Sequence, residues 1–146
     1  MRKTALVLVA VSVMLSISLL AGCVLQKKAI LQVTVSPSII YLGEVTVVTT
    51  TLKELNGVGI DLNYVGLYVN GEAIQILTGQ DARDSYVRSF GSCRLFPREE
   101  LQNRSSYGPG TPGTGDIEMV FVTGGRDDNG NTVRTTATLF IRDKRG

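Results

Sequence analysis

The chain has no histidine and no tryptophan, only two cysteines and four prolines, and its aromatic residues amount to 6%. Without histidine, the Ser-His-Asp and Cys-His arrangements cannot be built, because each needs an imidazole to move the proton. A zinc site is also short of ligands, since few cysteines and scattered carboxylates do not make the usual set. Residues 108–115 are rich in glycine, but no Lys-Ser/Thr pair follows them, which excludes a phosphate loop. Glu99 and Glu100 are adjacent, and adjacent side chains diverge on a strand or a helix, so they are a poor acid/base pair. Charge is sparse as well. Fifteen basic residues stand against thirteen acidic ones. Arg2 and Lys3 supply that excess, so the rest of the chain is balanced and gives no case for nucleic-acid binding. The expectation is a protein that is no enzyme, with no cofactor and no resident metal.

What the chain does have is an apolar run near its start. Arg2 and Lys3 precede residues 5–20, which are Leu, Val, Ile, Ala and Met interrupted only by Ser12, Ser16 and Ser18. Ala21 and Gly22, both small, then lead to Cys23. Positive charge, apolar stretch and small residues in that order make a secretory signal. Leu20-Ala21-Gly22-Cys23 resembles the lipobox of bacterial lipoproteins at every position. The resemblance implies cleavage before Cys23 and a covalent diacylglycerol or acyl lipid, such as palmitate, on that cysteine. Two or three acyl chains anchor a protein stably where one does so marginally. It further implies a place in the cell envelope, on the outer membrane or cell surface, facing the periplasm or the exterior. Val24, where an aspartate would act as a retention signal in enteric-type envelopes, agrees with the outer membrane. An uncleaved membrane anchor and an ordinary signal peptide are the alternatives. Once Cys23 is acylated, Cys93 has no partner within the chain and reads as a small, half-buried apolar residue.

The organisation expected is a signal peptide at 1–22, a lipidated tether at 23–28, one domain at 29–142 and a charged tail at 143–146. Within the domain, period-two alternation and β-branched density predict strands at 29–35, 39–42, 44–52, 60–69, 72–77, 116–123 and 132–141. Val69-Asn70-Gly71-Glu72 predicts a two-residue hairpin with Val69 opposite Glu72, Leu67 opposite Ile74 and Val65 opposite Ile76. Residues 78–84 read as a polar loop, 85–90 as a short strand, and 91–115 as a long irregular loop with one helical turn at 97–101. Residues 124–131 read as a turn, and no amphipathic helix of useful length is expected after residue 24.

About seven strands joined by Gly, Pro, Asn and Asp turns predict an all-β, antiparallel sandwich. Ser36-Pro37-Ser38 followed by Leu42-Gly43-Glu44-Val45-Thr46-Val47 resembles the opening of bacterial immunoglobulin-like domains, and Asp128-Asn129-Gly130-Asn131-Thr132 resembles the turn before their last strand. The resemblance implies an immunoglobulin-like sandwich at 30–142. The function expected is a membrane-anchored, non-enzymatic binding module that meets an envelope protein or a glycan; the alternative is a structural or accessory subunit of an envelope assembly. Tyr64 and Tyr68 on the outward face of the hairpin, with Phe96 and Tyr107 in the long loop, are the candidate interaction residues, unless that loop or a sheet edge covers the tyrosines. Asp127, Asp128, Asn129 and Asn131 offer hard oxygens beside a glycine, which suits a turn and also, more weakly, calcium.

Overall fold

The structure, a computed structural model, describes residues 25–144. The signal segment and the lipobox residues Leu20, Ala21, Gly22 and Cys23 lie outside the described residues, as do Arg145 and Gly146. The elements are β1 (Leu31–Ser36), β2 (Ile39–Tyr41), β3 (Thr46–Glu54), β4 (Ile60–Val69), β5 (Glu72–Thr78), α1 (Gly79–Phe90), β6 (Arg94–Leu95), β7 (Glu100–Tyr107), β8 (Ile117–Asp127) and β9 (Thr132–Arg142). One sheet has the order β1-β3-β7, the other β2-β9-β8-β4-β5 with β6 added to β4. All pairings are antiparallel except that of β2 with β9. The two sheets form the expected sandwich, with nine strands among the described residues rather than about seven.

Alternation decides the inner faces. Leu31, Val33, Val48, Leu52, Ile60, Leu62, Leu139 and Ile141 are all buried. They gather in two clusters: Leu31, Leu52, Ile60, Leu62 and Leu95 near the end where the chain enters, and Ile40, Leu42, Val48, Leu139 and Ile141 near the far end.

The segment expected as a polar loop and a short strand, 78–90, is instead a helix, α1. Tyr86 and Phe90 suit alternation, but with Ala82 they also fall four residues apart, on one helical face. Ala82 and Tyr86 are buried. Gln80 donates to Asp84 at 2.7 Å one turn on, Asp81 and Arg88 suit the positive and negative helix ends, and Gly91 at φ 79° closes the helix through its N–H to the Val87 carbonyl. Among the described residues no helix is long and apolar enough to cross a membrane.

The irregular loop expected at 91–115 holds two strands. β7 pairs with β3 along its whole length, from Glu100 opposite Lys53 to Tyr107 opposite Thr46. The helical turn expected at 97–101 is a tight turn, with the Glu99 N–H on the Phe96 carbonyl at 3.0 Å and Arg98 left-handed at φ 61°. Residues 124–127, read as turn, continue β8 as strand. Residues 142–144 are held: Arg142 pairs with Asp116 at 2.5 Å, Lys144 with Glu44 at 2.5 Å, and the Asp143 carboxylate accepts from Gly113 and Gly115.

The hairpin turn forms as expected, with Asn70 at φ 49° and Gly71 at φ 84°. Val69 meets Glu72 and Tyr68 meets Ala73, but a bulge then takes in Ile74, so Leu67 faces Gln75, Gly66 faces Ile76 and Val65 faces Leu77. A one-residue slip exchanges the faces of a strand. Ile74 and Ile76, expected on the core face, are 59% and 50% exposed.

Candidate functional site

Helix α1 lies along the open side of the sandwich, between β4 and β5 of one sheet and β7 of the other. Tyr86 fixes it there. Its hydroxyl donates to the Tyr64 carbonyl at 2.7 Å, bonds to the Thr123 hydroxyl and accepts the Gly124 N–H at 3.4 Å. Burial pushes the Tyr86 phenol above its usual pKa, so it stays a neutral hydroxyl. Tyr86→Phe is expected to lower the unfolding free energy by about 1–2 kcal/mol, because buried partners lose their hydrogen bond. Urea denaturation followed by circular dichroism measures this; no loss would mean that water substitutes for the hydroxyl.

Between α1, β7 and the inner face of β4 and β8 the structure leaves a cleft of about 260 Å³. Ser85 and Ser89 of α1, Asn103 and Ser105 of β7, Gln75 of β5 and Thr50 of β3 give it a polar lining, and Val65, Leu67, Phe90 and Phe121 give it apolar walls. Among the described residues no charged side chain lines it. It has hydroxyls and amides but neither a carboxylate nor an amine for proton transfer. Cofactor and drug-sized pockets run from about 300 Å³ upward, so this cleft suits an uncharged group the size of a side chain. Tyr107 stands at its edge, half-buried, and burial raises its phenol as well.

The outer face of the larger sheet carries Tyr64 and Tyr68. They flank Gly66, where a Cβ would lie 3.2 Å from the Tyr68 ring and 3.2 Å from Val122. Hydrogen bonding to Tyr64 raises the Tyr68 phenol, and the Arg134 guanidinium lies 3.7 Å from the Tyr64 ring centroid. Ile76, opposite Gly66, completes an aromatic and aliphatic patch. Beside it Arg126 and Arg134 line a shallow hollow with Asn63 and Tyr64. Asp61, opposite Arg126 in the ladder, pairs with Arg83 instead.

The other residues singled out in the sequence lie elsewhere. Phe96 is 57% exposed at the entry end, with Arg94 5.6 Å from its ring. Asp127 is buried at the end of β8, and its carboxylate accepts the N–H groups of Ala29 at 3.0 Å, Asn129 at 3.0 Å and Asn131 at 2.8 Å. Burial alone would raise this carboxyl, but the bonds from Ala29, Asn131 and Asn129 outweigh it and hold it low. Asp128 pairs with Arg94 at 2.6 Å, and the Asn129 amide donates to the Lys27 carbonyl at 2.5 Å. The oxygens considered for calcium thus hold the turn and the incoming chain. Among the described residues no three or more His, Cys, Asp or Glu side chains gather as a metal-holding group. Cys93 is a half-buried free thiol packed on the core.

No family model and no curated protein matches the chain. Among solved structures, the CARDB domain of the PF1109 protein from Pyrococcus furiosus, crystallised in complex with di-metal ions, matches with TM-score 0.50 and 18% identity over 78% of this chain and 87% of that one. Its solution NMR structure matches with TM-score 0.51 and 19% identity over 80% and 96%. Fibronectin(III)-like modules of Clostridium thermocellum CbhA match with TM-score 0.35 and 14% identity over 82% of this chain and 50% of that one. Identities this low speak to architecture alone. The two-sheet topology and the CARDB likeness together establish the chain as an immunoglobulin-like β-sandwich.

Proposed function

We propose that this chain is an envelope lipoprotein, held by acyl lipid on Cys23 to the outer membrane or cell surface, whose sandwich is a non-enzymatic module that binds another envelope protein. The observation that carries the reading is the outer face at Tyr64, Tyr68 and Ile76, half-exposed aromatic and aliphatic groups on a rigid sheet beside two arginines. Tyrosine and arginine are the residues that most often dominate binding energy, and neither Arg126 nor Arg134 forms an ion pair among the described residues. The partner therefore presents an apolar ridge and a carboxylate. The lipid keeps the module near its partner, which raises effective concentration. The absence of histidine and the uncharged cleft support a binding role over turnover.

Two variants test this. Cys23→Ala is expected to move the protein out of the membrane fraction; full retention would sink the lipid anchor. In-cell crosslinking and mass spectrometry are expected to recover one protein from wild type, and Tyr68→Ala combined with Ile76→Asp to weaken its capture by about thirtyfold, the effect of losing about 2 kcal/mol. Unchanged capture would reject this face, and capture of glycan alone would replace the protein partner. A structural subunit is the second reading, favoured by β5. Among the described residues that strand ends its sheet with one side unpaired, and neither lysine nor proline stands in it. Capture lost in Ile74→Lys but kept in Tyr68→Ala would support that reading.

A further inference from the structure

The domain takes hold of its N-terminal segment very early. The Lys27 carbonyl accepts from Asn129, the Lys28 carbonyl from Asn56 at 2.7 Å, and the Ala29 N–H donates to Asp127. Cys23 is four residues before Lys27. Four fully extended residues span at most about 14 Å. If the lipid reading above holds, on which this inference rests, the domain cannot tumble freely beside the membrane. Its entry end is confined to the lipid surface.

That end has a composition suited to the position. The turn after β6 points Phe96 outward, followed by Pro97 and the exposed Arg98. Leu55, 40% exposed, stands on the turn after β3, and Leu25 is 96% exposed on the incoming chain. Lys27, Lys28 and Arg98 are exposed cations that form no ion pair among the described residues. The neighbouring acids are otherwise engaged. Glu54 and Asp127 are buried on backbone N–H groups, Asp128 pairs with Arg94, Glu100 with Lys53, and Glu99 accepts the Phe96 N–H at 2.7 Å. Apolar side chains ringed by free cations are the pattern of an anionic lipid interface, where the rings enter the headgroup layer and the cations meet phosphate.

We propose that this end of the sandwich, with Phe96, Leu55 and Leu25 among Lys27, Lys28 and Arg98, docks on the anionic bilayer that holds the Cys23 lipid, and so fixes the domain with its Asn70-Gly71 hairpin pointing away. An anchored protein needs little further affinity, so a small patch suffices. The docked orientation leaves the outer sheet face standing across the membrane plane and open to a partner from the side.

Because the chain has no tryptophan, one introduced indole reports alone. Phe96→Trp and Val45→Trp replace exposed residues close to opposite ends of the sandwich, separated by the nine residues of β3, roughly 30 Å at about 3.3 Å per residue. Each full-length variant is isolated in its lipidated form, the acyl mass on Cys23 is checked, and the protein is placed in vesicles of phosphatidylethanolamine and phosphatidylglycerol that contain brominated lipid. The expected result is a blue-shifted emission at residue 96, at least halved by the brominated lipid, and an unshifted, unquenched emission at residue 45. Charge reversal at Lys27, Lys28 and Arg98 together is expected to restore most of the emission at residue 96 without releasing the protein. Acylated protein with equal quenching at the two ends, or quenching at 96 that ignores the charge reversal, overturns the docking alone. Absence of acyl mass on Cys23 overturns the lipoprotein reading and the docking with it.

Discussion

Glu54→Ala is expected to lower the folding stability by about 3 kcal/mol or more, a large effect for one side chain. Glu54 is 1% exposed at the end of β3, where three segments meet. Its carboxylate accepts the N–H of Ile30 at 3.3 Å, Asn56 at 2.8 Å, Gly57 at 2.6 Å and Arg98 at 3.0 Å. Among the described residues no other single group ties the incoming chain, the turn after β3 and the turn after β6 together. Alanine leaves these donors to water that reaches them only in part. Glu100→Ala is the contrast: it removes an exposed pair with Lys53 at 3.5 Å, worth about 1 kcal/mol or less. Urea denaturation of both variants decides the matter, and equal losses would refute the buried-acceptor role of Glu54.

The same geometry sets the response to acid. Burial by itself raises the Glu54 carboxyl, but the N–H groups of Arg98, Asn56, Gly57 and Ile30 together hold it below its ordinary value, as those around Asp127 do. A group with a depressed folded pKa contributes stability that is complete above its unfolded pKa and is lost as pH falls through the folded one. Stability is therefore expected to be level down to about pH 4.5 and to fall below it, since unperturbed carboxyls titrate at about 4. Glu54→Gln keeps one acceptor oxygen and is expected to flatten part of that fall.

Much of the frame was legible because alternation and turn chemistry agreed. β1, β3, β8 and β9 were read within a few residues, and so was the turn at Asn70-Gly71. The failures have separate causes. β7 alternates, but its inward positions are Leu101, Asn103, Ser105 and Tyr107, so its middle is polar and shows no apolar stripe. Asn103, Ser105 and Tyr107 face the cleft, and the same substitution that makes the cleft polar conceals the strand. Helix α1 was hidden by its length, since two buried residues, Ala82 and Tyr86, are too few to set a period. The hairpin faces differ from the reading because the bulge takes Ile74 out of the β4–β5 ladder, and a one-residue slip exchanges the faces beyond it. Of the interaction residues, Tyr64 and Tyr68 do share a surface, but Phe96 and Tyr107 are on other parts of the fold, because the loop meant to carry them is largely strand. Ile76, Arg126 and Arg134 became visible only when the strands were paired.

Gly124 and Gly125 teach the opposite lesson, because a familiar turn signal stands inside a strand, and Gly125→Ala is expected to be among the most damaging single changes in the chain. A Cβ on Gly125 would lie 2.8 Å from the Asp61 carbonyl carbon, 2.9 Å from the Leu62 Cα and closer still to the Asp61 carbonyl oxygen. All three are backbone atoms of β4, so no rotamer change relieves the contact. The crowding coincides with the irregularity in the β4–β8 ladder between Leu62 and Tyr64, where the strands approach without a full pleat between them. Accommodating the methyl means moving β4 or β8, and both are interior strands of the larger sheet, with Ile60 and Leu62 wholly buried beside them. Overpacking a core side chain costs about 1–3 kcal/mol, and a backbone obstruction is expected to reach the top of that range or pass it. Gly71→Ala is the comparison. It suffers only from φ 84°, since nothing lies within 4 Å of its Cβ position, and its strain is expected to cost about 1–2 kcal/mol. Thermal unfolding of the two variants separates the causes. A larger loss at Gly125 means that the glycine is there for the closeness of two strands; losses of equal size would mean that the strands can part by the width of a methyl group, and that the bulge, rather than the glycine, sets the path of β8.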